Sequence, residues 1–294
     1  MELLLQRIVD GLGSGSIYAA LALALVLVFR STGVVNFAQG EMAMLSTYLI
    51  WILTLFGLNI WLALLLSIAV SFFAGALLER GLIRIVPRDD HLVMVLVMIG
   101  LYTVLGALAL FVFGTEGKPV ESLFPSGGLT LGSVVIPFST LGAMAVLFGA
   151  SGLLWAVFRF TKTGLSLRAV SLNPESAALA GLPRGRLLAV GWGLAACMGA
   201  ISGALVISLG LFLEPTMMLP VLVYALSAAT LGGFDSPVGA VIAGLALGVV
   251  ESLAIGYITF IGSELALLVP FLVMVVVMLV KPNGLFGSKK VVRV

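Results

Sequence analysis

Few residues in this 294-residue chain could do chemistry, because only 10% are charged and 61% are hydrophobic. Asn36, Gln39 and Glu41 fall within six residues between two apolar runs. Amides and a carboxylate at that spacing could line a polar passage; equally, Asn36 could cap the next helix and Glu41 sit in its first turn, where the dipole favours an acid. Glu251 lies well inside an apolar run. A carboxylate there is costly, about 2.5–3.5 kcal/mol on insertion scales, and marks either a functional site or a structural hydrogen bond. Asp235 sits in the polar break Thr230-Leu-Gly-Gly-Phe-Asp-Ser-Pro-Val-Gly239.

Other chemistries fail on arithmetic. The string Gly149-Ala-Ser-Gly152 resembles the short motif of intramembrane serine proteases, but a serine nucleophile needs a base in reach. The single histidine, His91, follows Asp89 and Asp90 in a different connection and reads as a solvated helix-start residue. One cysteine, Cys197, excludes a disulfide framework or a thiolate metal cage, and behaves as a small apolar residue. No Gly-x-x-x-x-Gly-Lys-[Ser/Thr] loop occurs, so energy must come from a partner or an ion gradient. No catalytic, metal or cofactor site is expected. A net charge of +2 gives no reason to expect nucleic acid.

The elements that position these residues must be transmembrane helices. Soluble domains are about 25% charged, far above this chain, and its mean hydropathy is +1.25. A crossing needs about 20 apolar residues. Such runs occur at 4–29, 37–56, 60–84, 92–113, 138–160, 187–209, 217–232, 237–258 and 264–280. The expected fold is therefore all-α and polytopic, about nine (8–10) helices in a single domain over 1–294. The short 217–232 run could be a re-entrant half-helix, permitted only where protein or a cavity satisfies its backbone.

Lys and Arg assign the faces. Arg80, Arg84 and Arg88; Arg159, Lys162, Arg168, Arg184 and Arg186; and Lys281, Lys289, Lys290 and Arg293 form three clusters on one, cytoplasmic, side. The opposite connections, 114–137, 210–216 and 259–263, hold only Lys118 with Glu116, Glu121 and Glu214. Nine crossings then place the C-terminus in the cytoplasm and the N-terminus outside, as part of the mature chain. The breaks at 30–41 and 230–239 each follow a run containing Tyr-Ala, at Tyr18 and Tyr224. Paired interruptions point to a transport pathway; ordinary tight turns would look similar. Gly199/Gly203 and Gly244/Gly248 fit close helix contacts, expected chiefly within the chain.

The 161–186 loop carries its own short helix. Asn173 suits the N-cap, Pro174 the first helical position, and Glu175 the first turn. Gly181 provides a left-handed stop and Pro183 blocks continuation. Two turns are marginal alone. With Ala177, Ala178 and Leu179 expected on its outer surface, the helix could dock into a groove on a cytoplasmic partner or lie on lipid headgroups.

Five strings in order then carry a resemblance over most of the chain. They are Gly11-Leu-Gly-Ser-Gly-Ser-Ile-Tyr-Ala-Ala-Leu-Ala-Leu, Gly33-Val-Val-Asn-Phe-Ala-Gln-Gly-Glu41, Arg168-Ala-Val-Ser-Leu-Asn-Pro-Glu-Ser-Ala-Ala-Leu-Ala-Gly-Leu-Pro183, Leu231-Gly-Gly-Phe-Asp-Ser-Pro-Val-Gly-Ala240, and Lys281-Pro-Asn-Gly-Leu-Phe-Gly287. The chain resembles the LivH/LivM-type permease subunits of branched-chain amino-acid ABC importers, the LivH type most. It departs from the family at Gln39, where many members carry His, and at Asp235, where a small uncharged residue is commoner. The resemblance implies a bacterial inner-membrane permease with a second homologous permease, two cytoplasmic ABC ATPases and a periplasmic or extracellular substrate-binding protein, embedded in lipid. It implies translocation of branched-chain or other hydrophobic amino acids, an amide or urea substrate being the alternative, as is an ion-coupled secondary transporter. Arg168, Asn173, Glu175, Ala178, Gly181, Leu182 and Pro183 become the ATPase-coupling segment. Asn36, Gln39, Glu41, Asp235 and Glu251 become candidate pathway residues, able to solvate both signs of an amino-acid zwitterion.

Overall fold

The computed structural model describes residues 2–86, 91–258, 265–282 and 284–287. Its helices are α1 (Glu2–Thr32), α2 (Gln39–Leu55), α3 (Ile60–Gly81), α4 (His91–Phe113), α5 (Phe138–Phe160), α6 (Lys162–Leu172), α7 (Pro174–Leu179), α8 (Arg184–Ser208), α9 (Met218–Gly232), α10 (Pro237–Tyr257) and α11 (Leu268–Val280). Six of the described helices, α1, α3, α4, α5, α8 and α10, are long and apolar enough to cross a membrane. All nine expected runs are helical. At 17 and 15 residues, however, α2 and α9 are shorter than a full crossing. The turn Leu265–Leu267 leads into α11, while 259–264 lie outside the described residues, as do Arg88, Lys289, Lys290 and Arg293.

Helix α1 is the axis of the molecule, packed by α5, α8, α9 and α10 and buried from Gly15 to Val28. Small residues make this possible. A Cβ on Gly11 would lie 2.6 Å from the Gly248 carbonyl oxygen, and one on Gly15 would lie 2.8 Å from the Leu245 Cα. Gly199 faces the Gln39 side chain and Gly203 faces Ala43, so α2 lies close along α8. Both small-residue pairs therefore work within the chain. Hydroxyls tie α2 to α3: Ser46 and Ser71 are 2.7 Å apart, and Ser67 donates to the Ser46 carbonyl at 2.6 Å. By contrast, α3, α4, α5 and α11 present large apolar side chains outward, among them Phe73, Phe111, Leu153 and Leu279. In lipid that exposure costs nothing, since the acyl chains are equally apolar.

The all-α fold carries one small addition, a hairpin outside the spans. Strands β1 (Gly128–Leu131) and β2 (Val134–Pro137) pair antiparallel in the connection between α4 and α5. Gly132, at φ 66°, makes the turn. Gln6 of α1 clamps β2, donating to the Val135 carbonyl at 3.0 Å and accepting from its N–H at 2.9 Å. The short run Leu129 to Ile136 has strand-forming residues, but it was hidden inside a connection read only for its charge.

Two glycine substitutions separate packing from propensity. Gly15→Ala forces a methyl into the α10 backbone and should destabilise the chain by about 1–3 kcal/mol. Gly149→Ala, with nothing within 4 Å of the new methyl, should be neutral or stabilising through helix propensity. Thermal unfolding of both variants in one detergent checks the contrast: a lower Tm for the first and an unchanged or raised Tm for the second.

Candidate functional site

The break between α1 and α2 turns back into the protein. After Thr32 the chain reverses at Gly33, φ 75°, and residues 34–38 lead to Gln39. The Gln39 Nε2 donates to the Ala195 carbonyl at 3.1 Å, halfway along the 25-residue α8. Helix α2 therefore starts near mid-depth of the bundle. The Asn36 Nδ2 donates to Gln39 Oε1 at 2.9 Å, and Asn36 Oδ1 accepts the Ala38 N–H at 3.0 Å. Both amides are completely buried. The N-cap position itself is Ala38, with no side-chain cap. Asn36 thus holds the turn before the helix rather than capping its first turn, and both amides are closed off from solvent.

Glu41 differs from its neighbours. It is 4% exposed, and its Oε2 has no hydrogen-bond partner among the described residues. It lines a cavity of about 280 Å³ with Tyr102, Thr103 and Gly106 of α4 and Pro215, Thr216 and Leu219 at the start of α9. A Cβ on Gly106 would sit 3.4 Å from Glu41 Oε2, so the α4 backbone at Gly106 packs directly on the carboxylate. The beginnings of α2 and α9 also meet here, Gly40 facing Met218 and Leu222. Two short helices starting side by side inside the bundle are the arrangement expected of a translocation pathway.

The other two acids lie elsewhere. Tyr18 donates to Glu251 Oε2 at 2.8 Å, and its ring stacks on Tyr224 at 4.3 Å with an interplanar angle of 6°. The Tyr224 hydroxyl donates to the Ala266 carbonyl at 2.8 Å. The two tyrosines noted beside the paired breaks are therefore in contact, and Glu251 has a structural hydrogen bond. Asp235 is exposed on the face that carries the 161–186 loop, within electrostatic reach of Arg30 at the end of α1. Arg168 of α6 is also within electrostatic reach of Arg30. The structure thus keeps Asn36 with Gln39, and distributes Glu41, Asp235 and Glu251 among three separate places.

The loop contains two helices where one was expected. Thr161 caps α6, its Oγ1 accepting the Gly164 N–H at 3.0 Å, a Thr-x-x-Gly signal passed over in the sequence. Helix α7 forms as read: Asn173 Oδ1 accepts the Ser176 N–H at 2.9 Å, and Gly181 is left-handed at φ 78°. Leu182 N–H closes the stop on the Ala177 carbonyl at 3.1 Å. Ala177 is a correction, since it points inward against Leu167, Val170 and Leu187, whereas Ala178 and Leu179 face out. Leu179 is 90% exposed. The Glu175 side chain lies outside the described residues, and so does that of His91. Beyond α7, the Arg84 guanidinium pairs with buried Glu79 at 2.6 Å and also donates to the Gly185 carbonyl, tying α3 to the start of α8. The tail reaches the same face: Leu285 N–H donates to the Leu231 carbonyl at 2.6 Å, and Gly284 packs on Gly233.

Comparison with known proteins follows the whole length of this architecture. Residues 7–278 match the family described as branched-chain amino acid transport system / permease component. The high-affinity branched-chain amino acid transport system permease protein LivH of Salmonella typhimurium is 29% identical, with 99% of this chain and 97% of that protein covered. LivH of Escherichia coli K12 is likewise 29% identical over 99% and 97%. BraD of Pseudomonas aeruginosa, named as the same kind of permease, is 27% identical over 99% and 98%.

Gln39→Leu tests the buried amides. It removes the donor to Ala195 and leaves Asn36 Nδ2 with only the Met42 sulfur at 3.5 Å. A buried group left unpaired costs about 1–3 kcal/mol. The expected result is a lower Tm in detergent, with a larger fall than for Ser166→Ala, an exposed hydroxyl on α6.

Proposed function

Because the chain belongs to the permease-component family of branched-chain amino acid transport systems, we propose that it is the LivH-type subunit of an ATP-driven importer of branched-chain or other hydrophobic amino acids. It works with a second homologous permease, two cytoplasmic ABC ATPases and a periplasmic or extracellular binding protein. The setting is the bacterial inner membrane, with the 161–186 loop and the C-terminus on the cytoplasmic side.

The observation that carries the coupling role is α7. It is a six-residue helix, too short to be stable alone, built on Asn173 and Gly181 and presenting exposed Leu179 outward. A preformed turn with one projecting apolar side chain suits a groove on an ATPase. Ala177 anchors it to α6 and α8, so a push on α7 reaches both. Helix α8 holds Gln39 through Ala195, and Gln39 begins the helix that carries Glu41. A displacement of α8 therefore moves the start of α2 relative to α4, opening or closing the cavity between them. At the end of α1, Arg30 is attracted by Asp235 in the break before α10 and repelled by Arg168 of the loop, so movement of either segment is felt there. In this scheme Asn36 and Gln39 hold the gate, Glu41 faces the path, and Asp235 and Glu251 act near its two ends.

Two measurements test the proposal. Affinity purification from mild detergent should bring two ATPases and a second permease with this chain; a clean homo-oligomer without ATPase, reproduced in nanodiscs, would sink it. Gly181→Val places a β-branched residue at positive φ, a strain of about 1–3 kcal/mol on a marginal helix. Membrane insertion should be normal, while substrate-stimulated ATP hydrolysis and uptake are lost together.

A further inference from the structure

We propose that the Glu41 cavity is the resting place of the substrate's primary ammonium group during passage through the permease. This rests on the importer reading above and narrows it to one site and one functional group.

The argument is a count of donors and acceptors. Glu41 is buried and lines the cavity, and its Oε2 has no hydrogen-bond partner among the described residues. An ionised carboxylate only accepts hydrogen bonds. The two threonines lining the same space have already committed their protons: Thr103 Oγ1 donates to the Ile99 carbonyl at 3.0 Å, and Thr216 Oγ1 donates to Glu214 Oε1 at 3.2 Å. What each hydroxyl offers the cavity is therefore lone pairs. Only Tyr102 among the lining side chains has a hydroxyl proton to give.

Such a site is rich in acceptors and poor in donors, which suits a cation that carries several N–H groups. A primary ammonium has three. The ionised Glu41 repels a solute that carries only a carboxylate, so a solute lacking the ammonium gains nothing from the site. The remaining walls, Gly106, Ala107, Leu110, Pro215 and Leu219, are apolar and match an aliphatic side chain. The volume of about 280 Å³ is at the small end of ligand pockets, which begin at about 300 Å³. It is a site for one small molecule.

The burial of Glu41 also demands explanation. An unpaired buried carboxylate is costly and is expected where function needs it. An amino acid entering with its ammonium forward would satisfy Glu41 transiently, and a shift of α2 against α4 would release it.

The test uses the chain with its co-purified partners in lipid nanodiscs, labelled by a hydrophobic carbodiimide. Modification at Glu41 and at Glu251 is followed by mass spectrometry. L-leucine and L-leucine methyl ester, which share the ammonium, should slow labelling of Glu41 at least about three-fold at saturating occupancy and leave Glu251 unchanged. 4-Methylpentanoate, the same skeleton without the ammonium, should have no effect, nor should NaCl or KCl. Protection by 4-methylpentanoate, equal protection by an inorganic cation, or a Glu41 that never labels would each overturn the inference. In proteoliposomes, Glu41→Gln should cut uptake at least about ten-fold with ATP hydrolysis kept, and Glu41→Asp should retain more. Wild-type uptake without ATP dependence would remove the importer reading itself. ATP-driven uptake undiminished in Glu41→Gln would leave that reading standing and remove the ammonium site.

Discussion

Backbone inside a bilayer must find its hydrogen bonds within the protein, because each unsatisfied group costs several kcal/mol there. The turn at 33–38 runs into the bundle and so meets this constraint directly. Asn36 satisfies Ala38, Gln39 satisfies Asn36, and Ala195 on α8 satisfies Gln39. That relay fixes the depth at which α2 begins. The depth places Glu41 against Gly106 and the start of α9 instead of at the surface. The cavity, the point at which the 17-residue α2 begins and the coupling of both to α8 follow from three amide contacts.

Close packing supplies the frame around that relay. Gly11 and Gly15 let α1 run against the α10 backbone, while Gly199 and Gly203 let α2 run against α8. Bulk at these positions would separate the helices, and at Gly199 it would meet the Gln39 side chain itself. At the other end, charge and turn chemistry gather the connections onto one face. Arg84 joins α3 to α8, Arg30 lies within electrostatic reach of both Asp235 and Arg168, and the 284–287 tail seats on the 231–240 break. Strings widely separated in sequence are neighbours there, and this gives a partner bound at α7 several routes into the bundle.

Much of this was legible beforehand. Apolar runs of membrane length gave every long helix, since the hydrocarbon thickness sets their length. The caps of α7 were readable because Asn173, Pro174 and Gly181 act locally, over three or four residues. Partnerships were not readable. Nothing near Glu41 in sequence reveals Gly106 or Thr216, because the cavity is assembled from three distant segments. Nothing near Asp235 in sequence announces its cation, and only the fold brings Arg30 within electrostatic reach of it. Ala177 and Ala178 are chemically the same, and the packing of α7 on α6 alone decides which one is buried. Helix α6 went unread for a different reason: its composition is mixed, and it owes its stability to the Thr161 cap and its contacts with α5 and α8.

The measurement that bears most directly on the account is uptake of radiolabelled leucine into proteoliposomes holding the purified assembly, with binding protein outside and ATP trapped inside. Accumulation should require internal ATP, persist when all ion gradients are collapsed, and stop with a non-hydrolysable analogue. Accumulation without ATP, driven by an imposed proton or sodium gradient, would contradict a permease moved by ATPases at α7.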